Sequence, residues 1–391
     1  MKKIAFIINY DHRKWMGGIN VIKNLADSLN LFSKKYHVVL IVKKNFSNDE
    51  KSYLKNFDLL ETNFFSNRSF AFKILNKLLV ILFGKSFIYD NFLKKNDIKI
   101  VSHINIFNYN LIFGRKSVVK SFSFVTDLQH IHYKENFSFN KRFMRNLNIH
   151  LCSLFSTRII LSGKTSLLDI KKVSKIAFKN SYINRFVFKS QDLEKNIKFK
   201  DLKKRYNFSK NYFYLPNQYW IHKNHLIVLK ALIEYKKRFN DDILIISSGS
   251  KNDYRDIEYF DNLMKFIDNN NIKKNYSYLG LIPDEDVMAL MRYSIALINP
   301  SKFEGRSSTV EQGISFGKKV ILSDIPIHRE QDPKRSIYFD ADNAEMLSEI
   351  LKKANDNFNA LNEENFIKLA YAENKIRLKN YINDYINMIE S

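Results

Sequence analysis

The chain of 391 residues is 45% apolar and 27% charged, with only 10 glycines and 5 prolines. That composition excludes a disordered chain, a collagen and a coiled-coil rod, and domains of on the order of 100–200 residues would make two of this length. The formal net charge of +24 is uneven: residues 1–200 hold 36 basic and 13 acidic residues, residues 201–391 hold 28 and 27.

The first half opens with a strand predicted over Lys3–Ile8, which Asn9, Tyr10 and Asp11 end too early for a signal peptide. A loop carrying Gly17-Gly18 then leads into a helix from Asn20 to Phe32, and His37–Val42 forms a second strand. The segment Phe70–Lys95 mixes Ile74, Leu75, Leu78, Leu79, Ile81, Leu82 and Phe83 with Lys73, Lys77 and Lys85. Its apolar run is far short of the roughly 18–20 residues of a membrane span. A helix of that kind suits either a core or a lipid interface. Strands over Ile98–His103, Ser121–Thr126 and Arg158–Leu161 follow, the last entering a helix at Thr165.

The pattern restarts near residue 210. Strands are predicted at Tyr212–Pro216, Ile243–Ser247, Tyr276–Leu279, Ile295–Asn299, Lys319–Leu322 and Ser336–Phe339. Helices are predicted at His225–Phe239, Tyr254–Asp268 and Pro283–Tyr293, with a helical tail over Glu363–Ser391. Alternating strands and helices mean parallel sheets built from βαβ units. The expected architecture is α/β, with two Rossmann-like doubly wound domains facing a central cleft. The domains are residues 1–200 and 208–362, divided by the charged stretch Ser190–Lys210, and the 363–391 helical segment packs back on the first domain.

Charge and cysteine content narrow the function. A basic half beside a neutral half points to one module working against a polyanion: nucleic acid, an anionic membrane surface or a phosphorylated acceptor. Zinc-finger spacing, RNA-reader aromatics and a basic region leading into heptads are all missing, which disfavours nucleic acid. A lone cysteine, Cys152, excludes an internal disulfide and paired-cysteine zinc sites, and fits a reducing, cytoplasmic setting.

Several motifs fail on inspection. The dinucleotide fingerprint G-x-G-x-x-G is missing. Gly163-Lys164-Thr165 resembles the end of a P-loop, but the earlier glycine position holds Arg158. The acids of Asp284-Glu285-Asp286 and Asp340-Ala341-Asp342 sit at predicted helix starts, where they complement the dipole, so no metal site is expected.

Other segments carry chemistry. Gly17-Gly18 lets backbone amides and a helix N-terminus approach a phosphate or substrate. Asp127-Leu128-Gln129-His130-Ile131-His132 follows a strand end, and Asp127 and His130 there could bind a polyhydroxylated substrate or handle a proton. Asn217 to His225 follows a strand and opens a helix, setting Lys223 and a helix N-terminus at the sheet rim as a cradle for a diphosphate. Pro300 to Gly313 follows another strand and offers Glu304, Gly305, Arg306 and a helix N-terminus in one loop. A carboxylate accepts paired hydroxyls, so this acid suits a sugar or ribose.

On these residues the sequence resembles glycosyltransferase family 4, a retaining family with the GT-B fold, and in particular its bacterial surface-polysaccharide members. Glu304-Gly305 after Pro300-Ser301 resembles the start of the family's E-x7-E motif. Gly317 to Pro326 resembles the segment that closes it, and Tyr278-Leu279-Gly280 the base-contacting strand end. The resemblance implies that Glu304 contacts the donor sugar, Lys223 neutralises the donor diphosphate, and the backbone near Gly280 and Leu281 holds the nucleobase. It implies further that Ser307, Ser308 and Thr309 open the helix aimed at the phosphates, with Gly17 and Gly18 as the first domain's glycine loop. The second motif acid falls at Gln312, with Glu311 one place earlier, and the basic partner of the lysine falls at Gln218. Arg306 then becomes the candidate second cation. No metal or cofactor is implied beyond the nucleotide-diphosphate sugar itself.

The expected activity is a retaining glycosyl transfer from that donor to a glycan or lipid-linked glycan acceptor in cell-surface polysaccharide biosynthesis (O-antigen, capsule or lipopolysaccharide), with the protein peripheral at the inner face of the cytoplasmic membrane. The alternatives are a nucleotide-sugar epimerase of the same fold and a basic nucleic-acid-binding protein.

Overall fold

A computed structural model of the chain describes all residues except 9–15, 66–68, 110–111, 191–196 and 254. The predicted end of the first strand at Asn9–Asp11, part of the charged stretch after Ser190, and Tyr254 fall outside the described residues. The chain divides into two compact units, Met1–Phe186 with Arg377–Ser391, and Val187–Ile376.

The first unit holds a sheet of β1 (Lys2–Ile8), β2 (Tyr36–Val42), β3 (Asp58–Glu61), β4 (Ile98–Asn105), β5 (Lys120–Phe124), β6 (Arg158–Leu161) and β7 (Ser181–Ile183). Their order is β3-β2-β1-β4-β5-β6-β7, parallel throughout. Sequence reading misses the two edge strands. β3 carries an acid at each end, and neither β3 nor β7 has a buried residue, so neither shows the apolar run of a covered strand. Gly17 and Gly18 lie inside the first turn of the helix Met16–Phe32 rather than in the loop before it.

The second unit holds β8 (Tyr212–Leu215), β9 (Leu244–Ser247), β10 (Tyr276–Tyr278), β11 (Leu297–Asn299), β12 (Val320–Ser323) and β13 (Ser336–Phe339). The order is β10-β9-β8-β11-β12-β13, again parallel. Successive side chains of a strand point to opposite faces, and β8 shows the consequence. Phe213 and Leu215 join one core with the helices His225–Phe239 and Ala344–Asp356, while Tyr212 and Tyr214 join another with the helix Asp284–Tyr293. Burial on both faces explains why β8 reads as an unbroken apolar run. Order reverses between β8 and β11, and in a doubly wound sheet the loops leaving such a pair of strands frame the ligand crevice.

The first unit ends at Phe186, earlier than the charged stretch suggests. The helix Phe199–Tyr206 belongs to the second unit because Leu202 is buried with Tyr212 and Tyr214. The long helix Ala360–Glu390 is shared between the units. Its start is held by Glu363, which pairs with the fully buried Lys318 at 2.9 Å and with Arg335 at 2.6 Å. Its end belongs to the first unit, where Tyr36 donates to Glu390 Oε1 at 2.7 Å and Tyr385 packs on His103.

Removing one partner of a buried charge network leaves the other uncompensated. Glu363→Ala is therefore expected to cost about 3–5 kcal/mol in urea unfolding, whereas breaking the exposed Lys334–Glu373 pair should cost about 0–1 kcal/mol. Burial would raise the Glu363 carboxyl, but Arg335 and Lys318 together hold it below its ordinary value of 4.5. Its contribution is thus present above the ordinary carboxylate range and is lost as pH falls through the depressed value. Glu363→Gln should flatten that acid limb of stability against pH.

Candidate active site

The loops leaving β8 and β11 meet at the point where the strand order reverses. The backbone N–H of Lys302 donates to the carbonyl of His222 at 2.8 Å and ties the two loops together. Asn224, in the left-handed conformation at φ 56°, adds side-chain bonds to the carbonyls of Pro300 and Ala341. These ties bring Lys223 and Glu304 into contact across 81 residues of chain, with Nζ 2.6 Å from Oε1. Both side chains are largely buried, at 14% and 9% exposure. Burial would raise the Glu304 carboxyl, yet Lys223 and the Ser301 hydroxyl bring it below its ordinary value, so it is ionised at neutral pH.

A polar scaffold holds this pair in place. The Ser301 hydroxyl lies 2.8 Å from Glu304 Oε1 and 2.7 Å from Asn299 Oδ1. Asn299 in turn donates to the Ser307 hydroxyl at 2.7 Å and receives a bond from Asn217 at 3.3 Å. Ser307 caps the helix Ser308–Ser315, accepting from the amide of Val310, and Thr309 reaches Asn217 Oδ1 at 3.4 Å. Beneath them His328 Nδ1 sits 2.9 Å from the Ser323 carbonyl, and burial lowers its pKa, leaving it neutral.

Glycine makes one close approach possible here. Gly249, just past β9, has φ of +148°, and a Cβ there would lie 2.4 Å from the carbonyl oxygen of Asn217. Its N–H donates to the carbonyl of Gly280, itself at φ +73°. Gln218 lies next to this backbone contact, and its Oε1 is buried with no partner among the described residues. Leu281, at 46% exposure, is open to solvent.

Two expectations change. Arg306 donates to Glu311 at 2.5 Å, and the two side chains are 4% and 0% exposed. Gln331 closes the group, with Nε2 3.2 Å from the same carboxylate. Arg306 is thus committed to a buried pair, and its charge is not directed at a diphosphate. Of the two candidate motif positions, Glu311 is sealed in the core, while Gln312 is partly exposed.

In the first unit, Asp127 pairs with Arg145 at 2.9 Å and stays about a third exposed. His130 is 2% exposed, and both of its ring nitrogens are engaged. Arg145 Nε donates to Nδ1 at 3.1 Å, which makes Nε2 the protonated nitrogen facing Asn146 Oδ1 at 2.8 Å. Burial and then Arg145 lower its pKa. Both nitrogens of His130 are thus occupied by other residues of the first unit, unlike the open imidazole expected after the strand end.

Asn217, Gly249, Asn299, Ser301, His328 and Gln331 receive no role from sequence reading, although Asn217 and Ser301 lie in the two loops it singles out. Five are ordinary polar residues whose role depends on partners distant in the chain. Gly249 carried a signal of its own, as the middle of Ser248-Gly249-Ser250 directly after a strand.

Residues 197–372 match the family model described as "Glycosyl transferases group 1". No curated protein sequence is matched significantly. The fold is that of solved GT-B structures. Anabaena HepE in complex with UDP-glucose superposes with a TM-score of 0.71 at 13% identity, over 99% of this chain and 100% of that one. A mutant of S. aureus TarM, in complex with Fondaparinux, alpha-GlcNAc-glycerol and UDP, gives 0.71 at 12% identity over 100% of both chains. The lipopolysaccharide outer core galactosyltransferase WaaB, in its apo form, gives 0.59 at 16% over 99% of each. Two parallel-sheet Rossmann-like units thus define a GT-B architecture, and the second of them contains most of the residues that match the group 1 glycosyltransferase model.

The Arg306 assignment can be checked by stability alone. Arg306→Met should cost about 3–5 kcal/mol, and adding Glu311→Leu should recover most of it. Equal stability of Arg306→Met and the parent in urea would show that the arginine is not part of a buried pair.

Proposed function

We propose that this protein is a retaining glycosyltransferase that moves a sugar from a nucleotide-diphosphate donor to a glycan or lipid-linked glycan acceptor in cell-surface polysaccharide biosynthesis. The observation that carries the reading is the Lys223–Glu304 pair at the strand-order reversal of the second sheet, beside a capped helix N-terminus. It lies within the residues matched by the group 1 model.

The pair provides both halves of donor recognition. Lys223 supplies the charge for the diphosphate, and Glu304 accepts bonds from the sugar hydroxyls. Donor binding would exchange the lysine–carboxylate contact for a lysine–phosphate contact, releasing Glu304 to the sugar. Gln312, the more exposed of the two motif positions, would bind a ribose hydroxyl. Gly280, with Gly249 beside it, leaves backbone groups close to where a base would lie. In the reaction the bond from the anomeric carbon to the phosphate oxygen breaks and its electron pair stays on the phosphate. Lys223 and the amides opening the helix Ser308–Ser315 stabilise that developing charge, a task that asks for no bound metal. The acceptor hydroxyl attacks from the same face and gives its proton to the departing phosphate oxygen, which keeps the configuration. Asp127 and the basic first unit would serve the acceptor, and Gly17 and Gly18 would offer helix amides.

Two measurements test this. Nucleotide sugars screened by thermal unfolding should include one that stabilises the protein, by about 2.7 kcal/mol at a hundredfold excess over Kd. Glu304→Gln, nearly the same shape, should lower transfer by about 10²–10³-fold while the protein still unfolds cooperatively. Undiminished turnover in that variant would remove Glu304 from the site. Conversion of a nucleotide sugar with no acceptor present would point to an epimerase instead.

A further inference from the structure

The helix Phe70–Phe83 is built inside out. Its side toward the body of the first unit carries Asn76, 4% exposed and bonded to the Ser86 hydroxyl, beside Val80 at 0%. Its outward side carries Ile74, Leu75, Leu78, Ile81 and Leu82, all at least 40% exposed and Leu82 at 73%. Single exposed apolar residues are ordinary, but an unbroken apolar helix face in solvent marks a contact surface. The face extends past the helix. The Phe83 ring meets that of Phe87 at 5.8 Å, and the loop at Gly114–Val119 packs against Gly84 through the Lys116 N–H.

Charge surrounds this face with one sign. Lys73, Lys85, Arg115 and Lys116 lie on or beside it, while Lys77 reaches inward to Asn148, and residues 70–83 contain no acid. Asp90, on the next helix, is buried. The helix is 14 residues long, about 21 Å at 1.5 Å per residue, too short to span a bilayer but suited to lie in its interface. Among the described residues no helix is long and apolar enough to cross a membrane. Two copies meeting face to face would bring their cationic borders together, so the charge favours an anionic surface over self-association.

We propose that this face docks the protein on an anionic lipid bilayer, with Leu78 and Leu82 entering the acyl boundary and the surrounding lysines meeting lipid phosphates. Docking would set the enzyme at the surface that holds a lipid-linked acceptor, and for that purpose it rests on the transferase reading above.

The test is flotation of the full chain with vesicles of phosphatidylcholine alone or mixed with phosphatidylglycerol. Donor and acceptor are both omitted, so failure here leaves the transferase reading intact, and a lost transferase reading leaves this result intact. The chain should float with the mixed vesicles, less so as salt rises, and should stay behind with phosphatidylcholine alone. Leu78→Glu with Leu82→Glu should lower partitioning at least tenfold with the unfolding temperature unchanged, since both side chains are exposed. Lys73→Gln and Lys116→Gln should each lower it about fivefold. Equal flotation of the glutamate variant and the parent would overturn the proposal. So would no binding to mixed vesicles, including the case where the parent is a dimer in solution that the glutamate variant splits.

Discussion

Lys223 and Glu304 are the interaction on which the rest of the second unit is organised. A lysine and a carboxylate this far from water are stable only as a pair. Holding them 2.6 Å apart requires two loops from non-consecutive strands to be locked together. The Lys302–His222 backbone bond, the Asn224 side chain and the Ser301–Asn299–Ser307 chain do that. The scaffold's hydrogen bonds also fix the start of the helix Ser308–Ser315, so the cation, the carboxylate and the helix amides share one frame. Under the transferase reading, that frame would keep the cation and the helix amides close to the charge that develops once donor has displaced the carboxylate.

A second buried network has a different task. Lys318, Glu363 and Arg335 hold the beginning of the last helix to the second unit, while Glu390 and Tyr385 tie its end to the first. The contrast with Arg306–Glu311 is instructive. All three sets are buried and charged; Arg306 shares the loop after β11 with Glu304 but pairs with Glu311 of the following helix, whereas Lys223 and Glu304 join the two loops leaving the reversing strands. Joining the two rim loops, rather than burial of charge, sets the Lys223–Glu304 pair apart.

Much of the fold was legible because it is local. The β8 run Tyr212–Leu215 is covered on both faces and reads as a strand from composition alone. β3 and β7, at the sheet edge, lack that signal. The two loops of the site were legible for the same reason: each follows a strand and opens a helix. His130 shows the limit. A histidine after a strand end looks ready to move a proton, and only Arg145 and Asn146, arriving from the next helix, occupy both of its nitrogens.

By itself the sequence determined the alternation of strands and helices, the two parallel sheets and the presence of a lysine and an acid on rim loops. These depend on side-chain pattern within about ten residues. Only the tertiary structure decided that Lys223 faces Glu304, that Arg306 turns inward to Glu311, and that the apolar stripe of Phe70–Phe83 faces outward. Periodicity tells which residues share a face of a helix, but what lies against that face depends on segments brought together from elsewhere in the chain.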